Sequence, residues 1–354
     1  MKFKEVTVRG TPYERGFTYG QLCREEVAMS MKGYEVLYEG TKGISWEEAR
    51  KISESFLSLI RDFEPSYVEE MQGIADGAGV DLQDIAALNI RTEIMYAQPS
   101  GIDASACTCI SAMAPATEGG RVIAAQNWDY TRLVRDAVVI VHVYQEDKPN
   151  FVMVVEGAGM IGGIGMNDRG VAVTLNALKT AAPCNGIPFE VRLRAMLEAE
   201  NLSDAYVKGS HAPTSVGNFI ATHKDGVAID FEMDARGVEP IIPDDGVLLH
   251  TNHYLGPKMY FANDVNHMGS SYIRLQRMQA MVKECHGKIT VEDIKRMLSD
   301  HAGYPYSICD HEDPNYPVAV RDDTNFAIIM DLTENCMHLA YGNPCENAFE
   351  KYYI

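Results

Sequence analysis

The sequence predicts an α+β fold, with sheets covered by helices, and three observations carry that prediction. Residues 1 to about 100 hold long helical patterns after one short strand-like start, while past Pro99 short β-rich runs dominate. Those later runs come in clusters separated by pairs of helical segments, not in a regular alternation of strand and helix. An apolar share of 46% with 23% charged residues is ordinary for a chain that buries a sizeable core. No internal repeat or low-complexity segment interrupts it.

Taken in order, residues 3–8 read as a strand and residues 13–38 as one helical run. A second helix is expected over 46–63, with Ser45 as its cap before Trp46-Glu47-Glu48 and Pro65 just beyond its end. Helices over 67–79 and 82–96 complete the first part. The stretch 100–106 is small and turn-prone, and it is the clearest boundary in the chain. Strands follow over 107–113, 121–128, 137–144, 151–156 and 171–175, separated by Gly, Asn, Asp or Pro turns. Past Pro188 a helix carries Val191, Leu193, Met196 and Leu197 as its apolar positions, and another spans 203–208. Strands return over 215–222, 227–232 and 246–250. Helices over 270–284 and 291–299 then precede a strand pair, 326–331 and 336–341.

The formal net charge of -19 argues against a nucleic-acid partner, because phosphate binding needs clustered Lys and Arg. The first nine residues alternate charged and apolar types, and no apolar run has the length of a signal peptide or a membrane span. A soluble, cytoplasmic chain without a membrane partner is expected, and assembly into a homo-oligomer is left open. The eight cysteines are too sparse for a disulfide scaffold. With no CxxC pair and no HxxxH spacing, neither a metal nor a cofactor is expected.

Within Asp103-Ala104-Ser105-Ala106-Cys107-Thr108-Cys109 a thiol stands where a loop of small residues gives way to a strand. Small neighbours let a nucleophile approach a backbone carbonyl, although a Cys at a strand start is more often a buried small hydrophobe. Three further segments carry polar residues at the ends of apolar runs: Gln126-Asn127-Trp128-Asp129-Tyr130, Thr174-Leu175-Asn176-Ala177 and His250-Thr251-Asn252-His253. Singly, Asn176 and Asn252 read as turn or cap residues, Trp128 as core and Asp129 as a capping or paired carboxylate.

Together these stretches resemble the acyl-coenzyme A:6-aminopenicillanic acid acyltransferase family, also called the C45 peptidase family, of N-terminal-nucleophile hydrolase fold. The resemblance runs over most of the chain. It rests on the glycine-rich stretch 10–20, Ala106-Cys107-Thr108, Ala125-Gln126-Asn127-Trp128-Asp129, residues 165–177, His250 to His253 and residues 304–309, in family order. Gln-Asn-Trp-Asp shortly after Cys-Thr is the most specific of them.

The resemblance implies a four-layer αββα sandwich. It also implies a precursor that cuts itself between Ala106 and Cys107 into a helical α chain, 1–106, and a β chain, 107–354, forming one globular domain. Cys107 would be the nucleophile, with its own freed α-amino group as base, since that amine's reference pKa of about 8 lies near the thiol's of about 8.5. Asn252 would supply an oxyanion donor, joined by a backbone amide near Asn176, and Asp129 would hold the α-amino group. Ala106 stands where relatives commonly have Gly. Asp310 stands where relatives can carry Arg, so a cationic substrate is one expectation for it and a solvated acidic loop the other. Cys109, two residues on, is expected to share the face of Cys107, as packing or as a redox partner.

The leading functional reading is hydrolysis of a small-molecule amide C–N bond. Transfer of an acyl group from a thioester is second within the same chemistry. A catalytically silent binding protein is a third reading. A papain-like enzyme with His253 as base is a fourth, and it would want Cys107 on a helix.

Overall fold

Thr11 opens the first helix: its hydroxyl accepts from Glu14 N, Glu14 reaches back to Thr11 N, and Pro12 takes the first helical position. In the computed structural model, which describes residues 2–96, 106–265, 269–318 and 321–353, this helix, α1 (Pro12–Leu22), follows β1 (Lys4–Val8). The turn-prone residues 100–105 lie outside the described residues. The run expected over 13–38 is two helices, α1 and α2 (Arg24–Lys42), because Cys23 leaves helical geometry at φ -110 and ψ 25. A one-residue break barely disturbs a 3.6-residue period, so the pattern conceals it.

Next come α3 (Trp46–Phe63), opened by the expected Ser45 cap in a capping box with Glu48, α4 (Pro65–Ala78), α5 (Leu82–Asn89) and α6 (Arg91–Tyr96). The expected 82–96 helix breaks at Ile90. The glycine-rich stretch over 10–20 serves packing between α1 and α4. A Cβ on Gly16 would stand 2.0 Å from Glu70 O, on Gly20 2.1 Å from Ile74 O, and on Gly73 2.2 Å from Tyr13 O. Only glycine lets the two backbones approach so closely.

The strands are β2 (Ala106–Ala112), β3 (Ile123–Thr131), β4 (Val139–Val143), β5 (Phe151–Val155), β6 (Ile164–Asn167) and β7 (Val171–Asn176). They continue as β8 (Gly217–His223), β9 (Val227–Asp234), β10 (Gly237–Ile241), β11 (Val247–His250), β12 (Asp322–Asp331), β13 (Cys336–Tyr341) and β14 (Glu350–Tyr353). Between them run α7 (Phe189–Leu197), α8 (Leu202–Gly209), α9 (Gly269–Cys285) and α10 (Val291–Leu298). Among the described residues they form an eight-stranded sheet, β1-β4-β5-β6-β7-β8-β9-β10, and a six-stranded sheet, β11-β2-β3-β12-β13-β14.

The two sheets meet where β2 and β3 pack on β7; α7 and α8 cover the outer face of the first sheet, and α9 and α10 that of the second. These are the four layers of an αββα sandwich. The main core, with Cys107, Cys109, Trp128 and Leu175, lies between the sheets, and a second core joins Ile110, Ala112 and Ile123 to Met278 and Met297 under α9 and α10. Among the described residues no helix is long and apolar enough to cross a membrane.

Candidate active site

Strand alternation sets the site. From β2, Cys107 and Cys109 point into the inter-sheet core, while Ile110 and Ala112 point to the helix side, where Thr108 meets Arg274 of α9. Ala106 begins β2 as the cross-strand partner of Asp129, so the bond before Cys107 lies opposite that carboxylate's residue. Ala106 is paired strand, backbone that residues with a Cβ readily adopt. Its Cβ is no obstacle to this geometry.

β11 pairs with β2 only as far as His250 opposite Cys109. Beyond that point, side chains replace the missing strand. Cys107 N donates to Asn252 Oδ1 at 2.8 Å, and Cys107 O accepts from Asn176 Nδ2 at 3.1 Å and from Arg274 Nη1 at 2.7 Å. Arg274 also donates to Thr108 Oγ1 (2.9 Å) and to Asn252 Oδ1 (2.8 Å), and Asn252 Nδ2 donates to Ala177 O at 3.0 Å. Asn176 is oriented in turn by Asn218, which donates to its Oδ1 at 3.3 Å, and by His250 Nδ1 at 3.2 Å. Burial alone would lower the His250 pKa, but Asp230 and Glu232 outweigh it and raise it; Nε2 lies 2.9 Å from Glu232 Oε1.

β12 starts earlier than expected, and its bulge between Thr324 and Phe326 puts Thr324 opposite Asp129. Thr324 Oγ1 donates to Asp129 Oδ1 at 2.6 Å, whereas the buried Asp129 Oδ2 has no hydrogen-bond partner among the described residues. Burial pushes the Asp129 carboxyl up to about 7, with Asp323 adding to the rise; Thr324 and Arg274 oppose it. Asp310 follows behind Thr324: its N donates to Thr324 Oγ1 at 3.0 Å and its O accepts from Thr324 N at 3.1 Å. At 2% exposure Asp310 is not part of a solvated acidic loop, which corrects that expectation. Burial, then Asp129 and Asp322, hold its carboxyl well above the usual range.

A narrow crevice with room for about one water, about 10 Å³, reaches Cys107, lined also by Arg91, Tyr96, Trp128, Leu175 and Phe189. Burial, and next the nearby Asp129, push the Cys107 thiol up to about 12, so in this structure it is a poor nucleophile. Cys109 shares the face of Cys107 and donates to Leu175 O at 3.2 Å, a packing contact. His253 hydrogen-bonds Ser271 through Nδ1 at 2.7 Å and stacks on Tyr272, and burial, with His250 and Arg274, lowers its pKa to about 4. With Cys107 on a strand, the papain-like arrangement does not form.

Of the residues singled out by sequence, Cys107, Asp129, Asn176 and Asn252 converge on one strand end, and Asp310 stands behind Asp129. Arg274 and Thr324 were missed. Arg274 shares its buried helix face with Ser271, Leu275 and Met278, and a cation at that spacing was the available signal.

A model of the family described as acyl-coenzyme A:6-aminopenicillanic acid acyl-transferase matches residues 116–346. The chain is 30% identical over 345 residues to the acyl-coenzyme A:6-aminopenicillanic-acid-acyltransferase 40 kDa form of Emericella nidulans, covering 96% of this chain and 92% of that protein. It is 24% identical over 375 residues to the beta-alanyl-dopamine/carcinine hydrolase of Drosophila melanogaster, with the same two coverages of 96% and 92%. Among solved structures it is similar to the N-acylethanolamine-hydrolyzing acid amidase ortholog of Caenorhabditis elegans, at 16% identity and a TM-score of 0.45, over 64% of this chain and 93% of that one. The chain belongs to the acyl-coenzyme A:6-aminopenicillanic acid acyl-transferase family.

Proposed function

We propose that the chain cuts itself between Ala106 and Cys107 and then hydrolyses a small-molecule amide C–N bond through an acyl-enzyme on Cys107. The observation that carries this reading is the holding of Cys107 by side chains at both its nitrogen and its carbonyl. On the side that β11 leaves vacant, the Cys107 nitrogen rests on Asn252 Oδ1, so it can become an amine without losing a strand partner there.

Cleavage gives Cys107 an α-amino group of reference pKa about 8 beside its thiol. That amine takes the thiol proton, and the sulfur attacks the substrate carbonyl. Asp129, with Oδ2 unpartnered in the uncut chain, receives the new ammonium and orients it. The oxyanion draws on Asn252 Nδ2, which would leave Ala177 O, and on a backbone amide near Asn176. One such donor is worth about 3–4 kcal/mol of barrier. The C–N bond breaks as the amine leaves with the proton. Water then adds to the thioester, releasing the acid and restoring the thiol.

Relatives named as a hydrolase and as an acyltransferase support the same acyl-enzyme, with water or an amine as its acceptor. Adding an amine and analysing the products distinguishes the two fates. Asp310 does not line the crevice beside Cys107, and its buried loop supports Asp129 through Thr324, so it is not assigned to the substrate. Intact mass under denaturing conditions tests the core of the reading. Two fragments meeting at Ala106/Cys107 support it, and one uncut, inactive chain favours the silent binding protein.

A further inference from the structure

We propose that His301, Cys309, His311 and Cys345 form a structural zinc site that braces the segment behind Asp129. The four residues come from separate places: His301 follows α10, Cys309 and His311 flank Asp310, and Cys345 follows β13. Their ligand atoms all lie within 4.8 Å of one another. His301 Nε2 is 3.1 Å from His311 Nε2, Cys309 Sγ is 3.5 Å from Cys345 Sγ, and each sulfur is 3.6 Å from His311 Nε2.

The four separations of 3.1–3.6 Å lie near what a metal demands. Zn–S bonds of about 2.3 Å and Zn–N bonds of about 2.0–2.1 Å, arranged as a tetrahedron, space the ligand atoms about 3.3–3.8 Å apart. Two thiolates with two imidazoles are the donor set that selects zinc among the available divalent ions. A disulfide is a poorer account, because its sulfurs bond at about 2.05 Å and it gives the two converging imidazoles no role. Four protein ligands leave no open position, so the ion would hold structure and take no part in the reaction.

The loop is already shaped for it. Cys309 N donates to Asp300 O at 3.0 Å, tying its loop to the His301 segment, and Asn343 Nδ2 donates to Asp310 O and to Asp323 Oδ1, each at 2.7 Å, tying the Cys345 segment to that loop and to β12. His301 and Cys345 are exposed, which gives the ion a path in. Asp310, between two ligands, brackets Thr324, and Thr324 bonds Asp129, so zinc would fix the support of that carboxylate. The site stands on its four ligands alone, independent of the reaction assigned to Cys107.

The test is elemental analysis of the full-length chain, purified under reducing conditions, incubated with zinc and dialysed. About one zinc per chain is expected, falling at least tenfold in the His301→Ala/Cys345→Ser double variant, whose changes are at exposed positions. Cobalt substitution of the unaltered chain gives a second readout that needs no variant. The visible absorption of tetrahedral cobalt, with thiolate charge-transfer bands, is expected. Absence of zinc from the loaded chain, equal zinc in the double variant, or a cobalt spectrum without thiolate bands would each overturn the proposal.

Discussion

Asp129→Asn in a Cys107→Ala background, where the proposed cutting is expected not to occur, separates what Asp129 costs the fold from what it gives the chemistry. The carboxyl is fully buried, with one oxygen unpartnered, and its pKa rises from an ordinary 3.8 to about 7. That rise corresponds to about 4 kcal/mol if nothing relaxed. Asparagine keeps the bond from Thr324 to Oδ1 but adds an amide donor where no acceptor is seen, a loss of about 1–3 kcal/mol. A net stabilisation of about 1–3 kcal/mol at pH 8 remains. The sign follows from linkage. Because the folded pKa is raised, the carboxyl's favourable protonated state is fully populated below about pH 4 and is lost as pH rises through about 7. The gain from asparagine should therefore shrink and vanish on acidification. Asp310, Asp323 and Arg274 face the same group and are unchanged in both chains. Urea denaturation of both chains at pH 8 and pH 5 measures the difference. An equal destabilisation by asparagine at both pH values would refute the reasoning.

Arg274→Gln removes the buried cation that donates to Cys107 O and Asn252 Oδ1, and precursor cutting is expected to slow by about 10²-fold with secondary structure retained. A time course of fragment appearance checks it, and unchanged cutting would contradict the role. Gly73→Ala puts a methyl 2.2 Å from Tyr13 O; overpacking should exceed the helix-propensity gain and lower stability by about 1–3 kcal/mol, read as a lower urea midpoint.

Much of the candidate site was legible because its polar residues interrupt apolar runs where the fold ends its strands. Cys107, Asp129, Asn176 and Asn252 come from β2, β3, β7 and the turn after β11, and their order along the chain survives in a single sequence. Arg274 was hidden because an arginine within a mixed helix reads as solvated until its neighbours at positions 271, 275 and 278 prove buried. Thr324 depended on a bulge, which no local pattern announces. The strands β6, β10 and β14 lack a β-branched run and owe their state to pairing with neighbours. The His301, Cys309, His311 and Cys345 cluster escaped the spacing rules because loops separated by whole elements bring it together.

The central claim is that the bond before Cys107 breaks and that Cys107 then carries the chemistry. Intact mass and N-terminal sequencing of the freshly purified chain test it most directly, beside Cys107→Ala. The account expects two fragments, the larger beginning Cys107-Thr108-Cys109, and a single uncut, inactive chain for the variant. One uncut chain from the unaltered sequence, or cutting that persists in Cys107→Ala, would contradict it.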